Sequence, residues 1–201
     1  MIVLAPATVQ EAVDLTCKAF ELADRDRNPV LLLADGVVGT MMEPVELPEM
    51  MSDEKIAAIR EGKKKWACIG HPLDYANRAW IQPGQWDTNK MQSVNEEAAR
   101  LYASWENDVM VEEYCTEDAE VVITAYGISG RIAKSVVEMM RAEGKKVGLI
   151  RPITVHPFPK ASFEKLDYNT CRAILDVEMS IPAQLAEDVD HAVRGRCPRS
   201  T

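Results

Sequence analysis

No stretch of the 201-residue sequence approaches the roughly 20 uninterrupted apolar residues that a membrane span needs, and no basic segment precedes an apolar run at the N-terminus. The expectation is a chain that crosses no membrane, carries no leader and works in the cytoplasm. Paired cysteines are lacking too. The five that occur, Cys17, Cys68, Cys115, Cys171 and Cys197, are odd in number, widely spaced and form no C-x-x-C pair. The three histidines, His71, His156 and His191, stand at ligand spacing neither to one another nor to a cysteine. Zinc and iron–sulfur sites are therefore not expected in this chain, nor is a Cys/His nucleophile. Reduced thiols in a reducing compartment are expected instead, with Cys17 and Cys171 packed in the interior. A basic excess is also missing: with a formal charge of −9 the surface repels phosphate backbones, which excludes nucleic acid as a partner.

What is present is enough apolar side chain, 47% of the residues, to bury one good core or two small ones. Thr8-Val9-Gln10-Glu11 has the spacing of a capping box, so a helix should start there. An apolar stripe of Val9, Val13, Cys17, Phe20 and Ala23, with Ala12 and Ala19, carries it to about Asp24. Val30 to Ala34 is a continuous apolar run closed by Asp35-Gly36 and reads as a strand buried on both faces. Ile2 to Pro6 reads as one more short strand before the helix.

Prolines 44, 48, 72 and 83 loosen the pattern between Glu43 and Trp86, where a helix is expected only from Asp53 to about Glu61. Val94, Ala98, Leu101, Tyr102, Trp105 and Val109 mark one face of a longer helix. Its acidic exit, Glu112 to Glu120, reads as a linker. Beyond it the order is a strand at Val121 to Ala125, a helix at Ser129 to Glu143 capped by Gly144, and a strand at Val147 to Ile150. A third strand at Arg172 to Val177 and a helix at Pro182 to Arg194, with proline in its first turn, complete a parallel three-layer α/β/α sandwich. The segments expected are thus 1–50, 51–118 and 119–201.

Three places invite a chemical reading. Tyr126-Gly127-Ile128-Ser129-Gly130-Arg131 lies between a strand and a helix, where free N–H groups and the helix dipole can receive an anion. Its spacing is G-x-x-G, however, not G-x-G-x-x-G, and no suitable acid closes a strand among Gly144 to Arg151. A tight turn or a subunit contact is the plainer reading. Arg151 to Pro159 is a proline-stiffened loop after a strand, at the sheet edge where ligands bind or a partner seats. Ala34-Asp35-Gly36 resembles the start of the metal–diphosphate motif of thiamine enzymes, but the window from Ile59 to Lys65 holds no asparagine with which to complete it.

Six segments in order resemble the 2-oxoacid:ferredoxin oxidoreductases, as a part of the alpha-type subunit. These are Leu4-Ala5-Pro6 with Val9-Gln10-Glu11, Pro29 to Asp35, Ala125-Tyr126-Gly127, Glu143 to Thr154, Pro157-Phe158-Pro159, and Val177-Glu178-Met179 followed by Gln184 and Glu187-Asp188-Val189. The last is most similar to the branched-chain, 2-ketoisovalerate members. The resemblance implies that 1–50 is the C-terminal part of a pyrimidine-side domain, 51–118 a connecting segment with a helix, and 119–201 a transketolase C-terminal-like domain. Nothing in the sequence corresponds to the family's N-terminal stretch, with its cofactor-activating glutamate, or to its glycine-rich tail, so a fragment is expected. Ser180-Ile181-Pro182-Ala183 also departs from the family, which tends to have an Asn and a Gly before the Gln.

The activity implied is thiamine-diphosphate-dependent oxidative decarboxylation of a 2-oxoacid to an acyl-CoA, with electrons passing to ferredoxin. Thiamine diphosphate, Mg and the Fe–S clusters would be held mainly by other subunits, none by this chain alone, which would lack catalytic residues and metal ligands. The partners implied are a thiamine-diphosphate-binding beta-type subunit, a gamma-type subunit and a ferredoxin-like Fe–S subunit, with coenzyme A and ferredoxin as substrates of the complex. Candidate interface or pocket-edge residues are Asp35, Gly36, Gly127, Ser129, Arg131, Arg151, His156, Phe158 and Gln184. Two other readings stay open: a beta-type chain of a transketolase-like 2-oxoacid dehydrogenase, and a nucleotide- or acyl-CoA-binding α/β module using the turn at Gly127.

Overall fold

The computed structural model describes residues 1–63, 66–67 and 87–200; Cys68, His71 and the expected breaks at Pro72 and Pro83 lie outside them. The chain packs as two compact units, Met1–Glu46 with Tyr102–Thr201, and Leu47–Leu101. By packing, therefore, most of the first and all of the third expected segment fall in one unit.

The larger unit opens with β1 (Ile2–Leu4), α1 (Val9–Asp26) and β2 (Val30–Leu32). Thr8 caps α1 by accepting from the Glu11 N–H at 3.1 Å. Glu11 reaches back as a capping box requires, but to the N–H of Ala7 at 2.8 Å, one residue before the box partner. The helix ends on Arg27, whose left-handed φ of 51° turns the chain so that the following N–H, that of Asn28, also closes on the Ala23 carbonyl at 3.3 Å. β1 pairs parallel with β2 and antiparallel with β6 (Thr154–His156), a three-stranded sheet in the order β2-β1-β6.

The second sheet is assembled from β3 (Val111–Tyr114), β4 (Val121–Thr124), β5 (Val147–Pro152), β7 (Ala173–Asp176) and β8 (Arg199–Ser200), in the order β3-β5-β4-β7-β8. β5, β4, β7 and β8 run parallel, and β3 is antiparallel to β5. Side chains alternate across the sheet with period two. Ile123, Ala125 and Leu149 meet Ala133 and Val137 of α5 (Gly127–Ala142) on one face. Val122, Ile150 and Ile174 meet Phe163 of α6 (Lys160–Glu164) and Leu185, Val189 and Val193 of α7 (Leu185–Val193) on the other. Burying each such Leu or Val stabilises the sandwich by roughly 1.5–3 kcal/mol. The three-layer α/β/α architecture expected from the sequence is therefore present. A short helix, α2 (Gly36–Thr40), follows β2.

In the smaller unit, α3 (Asp53–Lys63) forms as expected, and α4 (Thr88–Ser104) begins there and ends in the larger unit; neither buries a side chain.

Several expectations are corrected. The Glu112 to Glu120 stretch is no linker: its start is β3, whose edge position leaves acidic side chains free to meet Lys and Arg of neighbouring elements. The five-stranded sheet is accordingly mixed, not wholly parallel. β2 is a sheet edge with Leu31 44% exposed, so Val30 to Ala34 is not buried on both faces. The buried face of α1 is set by Leu15 and Leu22, while Phe20 and Cys17 are exposed; both stripes satisfy helical spacing, and packing chooses between them. Pro182 does not start α7, which begins at Leu185 because Glu178 accepts from the Ala186 N–H at 3.3 Å and so takes over the capping.

Candidate functional site

The chain leaves β4 toward β5 on one side and β7 toward β8 on the other, so the topological switch point falls between β4 and β7. The helices that follow these strands lie on opposite faces, which opens a crevice at the strands' C-terminal ends, where open α/β sheets bind ligands. A cavity of about 200 Å³ is found there. Tyr126, Gly127 and Ser129 line it after β4, Glu178, Met179 and Ser180 after β7, and Leu33, Ala34 and Asp35 from the end of β2.

Asp35 organises this crevice. Its Oδ1 accepts from the N–H groups of Val37 and Val38 at 3.0 and 2.9 Å, capping α2. Its Oδ2 accepts from the Ile128 N–H at 2.9 Å, so the same carboxylate sits at the N-terminus of α5. Here it satisfies orphan donors of two helices and complements both dipoles. Gly127 is required beside it: φ is +57°, and a Cβ would stand 2.9 Å from Oδ2. A metal–diphosphate group does not fit at Asp35-Gly36, because both carboxylate oxygens are already engaged with backbone donors. Among the described residues no group of three His, Cys, Asp or Glu could hold a metal ion.

At the other rim of the crevice, Asp176 is 3% exposed at the end of β7 and Glu178 lies two residues on, on the same side. Burial, and after it the neighbouring Glu178, push the Asp176 carboxyl up to about 7. Burial would raise Glu178 as well, but the backbone N–H groups of Gln184, Leu185 and Ala186 and the hydrogen bond with Asp176 outweigh it and hold Glu178 below the usual range.

A second cluster joins α1, β3, β5 and α5 around Arg151, whose side chain is 6% exposed. Its Nη1 and Nη2 donate to Glu11 at 3.0 and 2.7 Å, and its Nε to Glu112 at 2.6 Å. Lys134 shares Glu112. Burial alone would lower the Arg151 pKa, yet the hydrogen bonds it donates to Glu11 and Glu112 hold it above its ordinary value. A cavity of about 570 Å³ opens beside this cluster, lined also by Arg131, which pairs with Glu43 at 2.7 Å.

Of the residues singled out from the sequence, Asp35, Gly127 and Ser129 meet in the crevice, and Arg131 and Arg151 in the second cavity. Gly36 is exposed as the first residue of α2, and Gln184 is exposed just before α7. His156 is exposed on β6 with its Nδ1 2.9 Å from the Met1 carbonyl. Phe158 is buried within the chain's own core and stacked on Phe163 at 5.3 Å. Sequence reasoning missed Asp176 and the roles of Glu11, Glu112 and Lys134; an acid two residues before Glu178 at a strand end was the one signal available.

Two family models match. Pyruvate flavodoxin/ferredoxin oxidoreductase, thiamine diphosphate-binding, covers residues 1–142, and pyruvate:ferredoxin oxidoreductase core domain II covers 119–200. Ketoisovalerate oxidoreductase subunit VorB of Methanothermobacter marburgensis is 44% identical over 192 residues, 95% of this chain and 52% of that protein. The 2-oxoglutarate synthase subunit KorA of the same organism is 27% identical over 214 residues, 97% of this chain and 56% of its own length. The chain thus spans about half the length of the curated relatives it matches. Among solved structures, 2-oxoglutarate:ferredoxin oxidoreductase from Magnetococcus marinus shares the fold with a TM-score of 0.67 at 18% identity, over 100% of this chain and 38% of that one.

Proposed function

The chain belongs to the 2-oxoacid:ferredoxin oxidoreductases, and from that premise we propose that it forms part of an enzyme that oxidatively decarboxylates a branched-chain 2-oxoacid, 2-ketoisovalerate, to an acyl-CoA. The 44% identity to a ketoisovalerate oxidoreductase subunit is the observation that carries the substrate class. Thiamine diphosphate supplies the carbanion chemistry when bound. Its diphosphate and Mg are held by a beta-type subunit, a reading supported by the full engagement of Asp35 with backbone donors. Fe–S clusters belong to a ferredoxin-like subunit, a gamma-type subunit completes the complex, and coenzyme A and ferredoxin are its substrates.

This chain contributes assembly surfaces and pocket walls. Within it, 1–50 is the end of the pyrimidine-side domain, 51–118 the connector and 119–201 the transketolase C-terminal-like domain. Asp35, Gly127 and Ser129 form a wall of the crevice, Arg131 lines the second cavity, and Gly36, His156 and Gln184 are exposed positions for contacts. Arg151 and Phe158 hold these elements from behind. The working compartment is the cytoplasm; among the described residues no helix is long and apolar enough to cross a membrane.

A tagged copy expressed in the native host tests the proposal by mass spectrometry of what copurifies. Recovery of a thiamine-diphosphate subunit together with a ferredoxin-like subunit is expected. Recovery of lipoamide-linked dehydrogenase chains in their place would overturn it. The nucleotide-sensing alternative is weakened by Asp35, which already supplies the anion at the N-terminus of α5.

A further inference from the structure

The rim of the crevice holds buried polar atoms that no described residue satisfies. With both carboxyls ionised, neither Asp176 oxygen meets a hydrogen-bond donor among the described residues, nor does Oε2 of Glu178, and Thr124 Oγ1 finds no partner there either. Thr124 of β4 and Asp176 of β7 are cross-strand neighbours, so both point to the α7 face of the sheet. Glu178 follows on the same side. Two ionised carboxylates are acceptors only; side by side in a buried place they repel and leave lone pairs empty. One proton between them turns an acceptor into a donor and removes both costs.

Among the described residues no cation on a neighbouring element does this instead. Arg199 of β8 is the positive group that faces Asp176, and it is committed to Asp190 of α7 through Nε at 2.6 Å and Nη2 at 2.8 Å. Asp190 itself acts on Asp176 as a further negative charge. β4 presents only the uncharged Thr124.

The loop that separates this pair from water is weakly held by its own side chains. Met179 is 62% and Ile181 99% exposed, and a cavity of about 380 Å³ lies under the loop, lined by Asp176, Val177, Glu178 and Ser180 to Ala183. What ties it down is Glu178 at the first turn of α7. We propose that Asp176 and Glu178 share a single proton, and that its loss to water releases the 179–184 loop and the first turn of α7, widening the crevice that Glu178, Met179 and Ser180 line.

The sign follows from linkage. A carboxyl raised in the closed state from its ordinary 3.8 to about 7 favours that state fully at low pH, progressively less as pH rises between these values, and not at all above the upper one. Glu178, held low, acts only at more acidic pH. Opening should therefore grow by up to about tenfold per pH unit between pH 5 and 7, then level off.

Hydrogen exchange of the Gln184, Leu185 and Ala186 amides in the full chain, expressed as protection against the unfolded rate at each pH, reads this directly. Protection should fall along that course in the wild type. In Asp176→Asn the amide donates to Glu178 at every pH, and protection should stay flat. Difference infrared spectra near pH 6 should also show the carbonyl stretch of a protonated carboxylic acid, absent from Asp176→Asn. Flat protection in the wild type, an unchanged course in the variant, or no protonated-acid band in the wild type would overturn the proposal.

Discussion

Replacing Arg151 by Met removes a guanidinium that is almost wholly buried and bonds to α1 and β3 at once. Three charge-assisted hydrogen bonds of 2.6 to 3.0 Å disappear, together with the bidentate geometry that fixes Glu11 against β5. Breaking a buried ion pair by removing one partner costs about 3–5 kcal/mol, because the remaining charge is left uncompensated. Here the low end applies: Glu11 keeps the Ala7 N–H, Glu112 keeps Lys134, and both carboxylates are about a quarter exposed. About 3 kcal/mol in a unit of this size corresponds to a fall in Tm of roughly 6–12 °C. Arg151→Lys restores a charge without the fork and should recover less than half of that loss. Thermal denaturation followed by circular dichroism measures it. A fall below about 2 °C for Arg151→Met would refute the assignment of Arg151 as the tie between α1 and the five-stranded sheet.

Asp35→Ala strands backbone donors of two helices and should cost about 2 kcal/mol, with faster amide exchange at Val37, Val38 and Ile128; unchanged exchange at Ile128 would show that the carboxylate does not cap α5. Gly148→Ala places a Cβ 2.6 Å from the Cys115 carbonyl oxygen, a backbone atom, so chemical denaturation should show a loss of about 2 kcal/mol. Tolerance of alanine there would mean that the Cys115 turn moves freely. Between pH 5 and 8 Asp176→Asn should hold its stability while the wild type loses up to about 3 kcal/mol, the part of the raised span between pH 5 and about 7 at roughly 1.36 kcal/mol for each pH unit. Parallel denaturation curves for the two proteins across that range would contradict it.

The sequence by itself determined the longer helices, the strands β1, β2, β4, β5 and β7, and their order, but not β3, β6 and β8 or the short helices α2 and α6. Thr8 with Glu11, Gly144, and the runs at Val121 and Val147 carry their conformation locally, through capping, left-handed φ and short-period apolar pattern. Such signals act within a few residues and are legible without a partner. Asp35 was legible as a strand-end acid but not as the cap of α5, since Ile128 is 93 residues away. Tertiary structure alone decided which face of α1 is buried, because Leu15 with Leu22 and Cys17 with Phe20 fit the same periodicity. It likewise turned the acidic exit at Glu112 into a strand: a run of acids reads as solvated until Arg151 and Lys134 are brought against it. The orphaned Asp176, too, is a strand-end acid like many others in sequence. Burial, a property of the assembled sheet and helices, is what gives it a proton to hold.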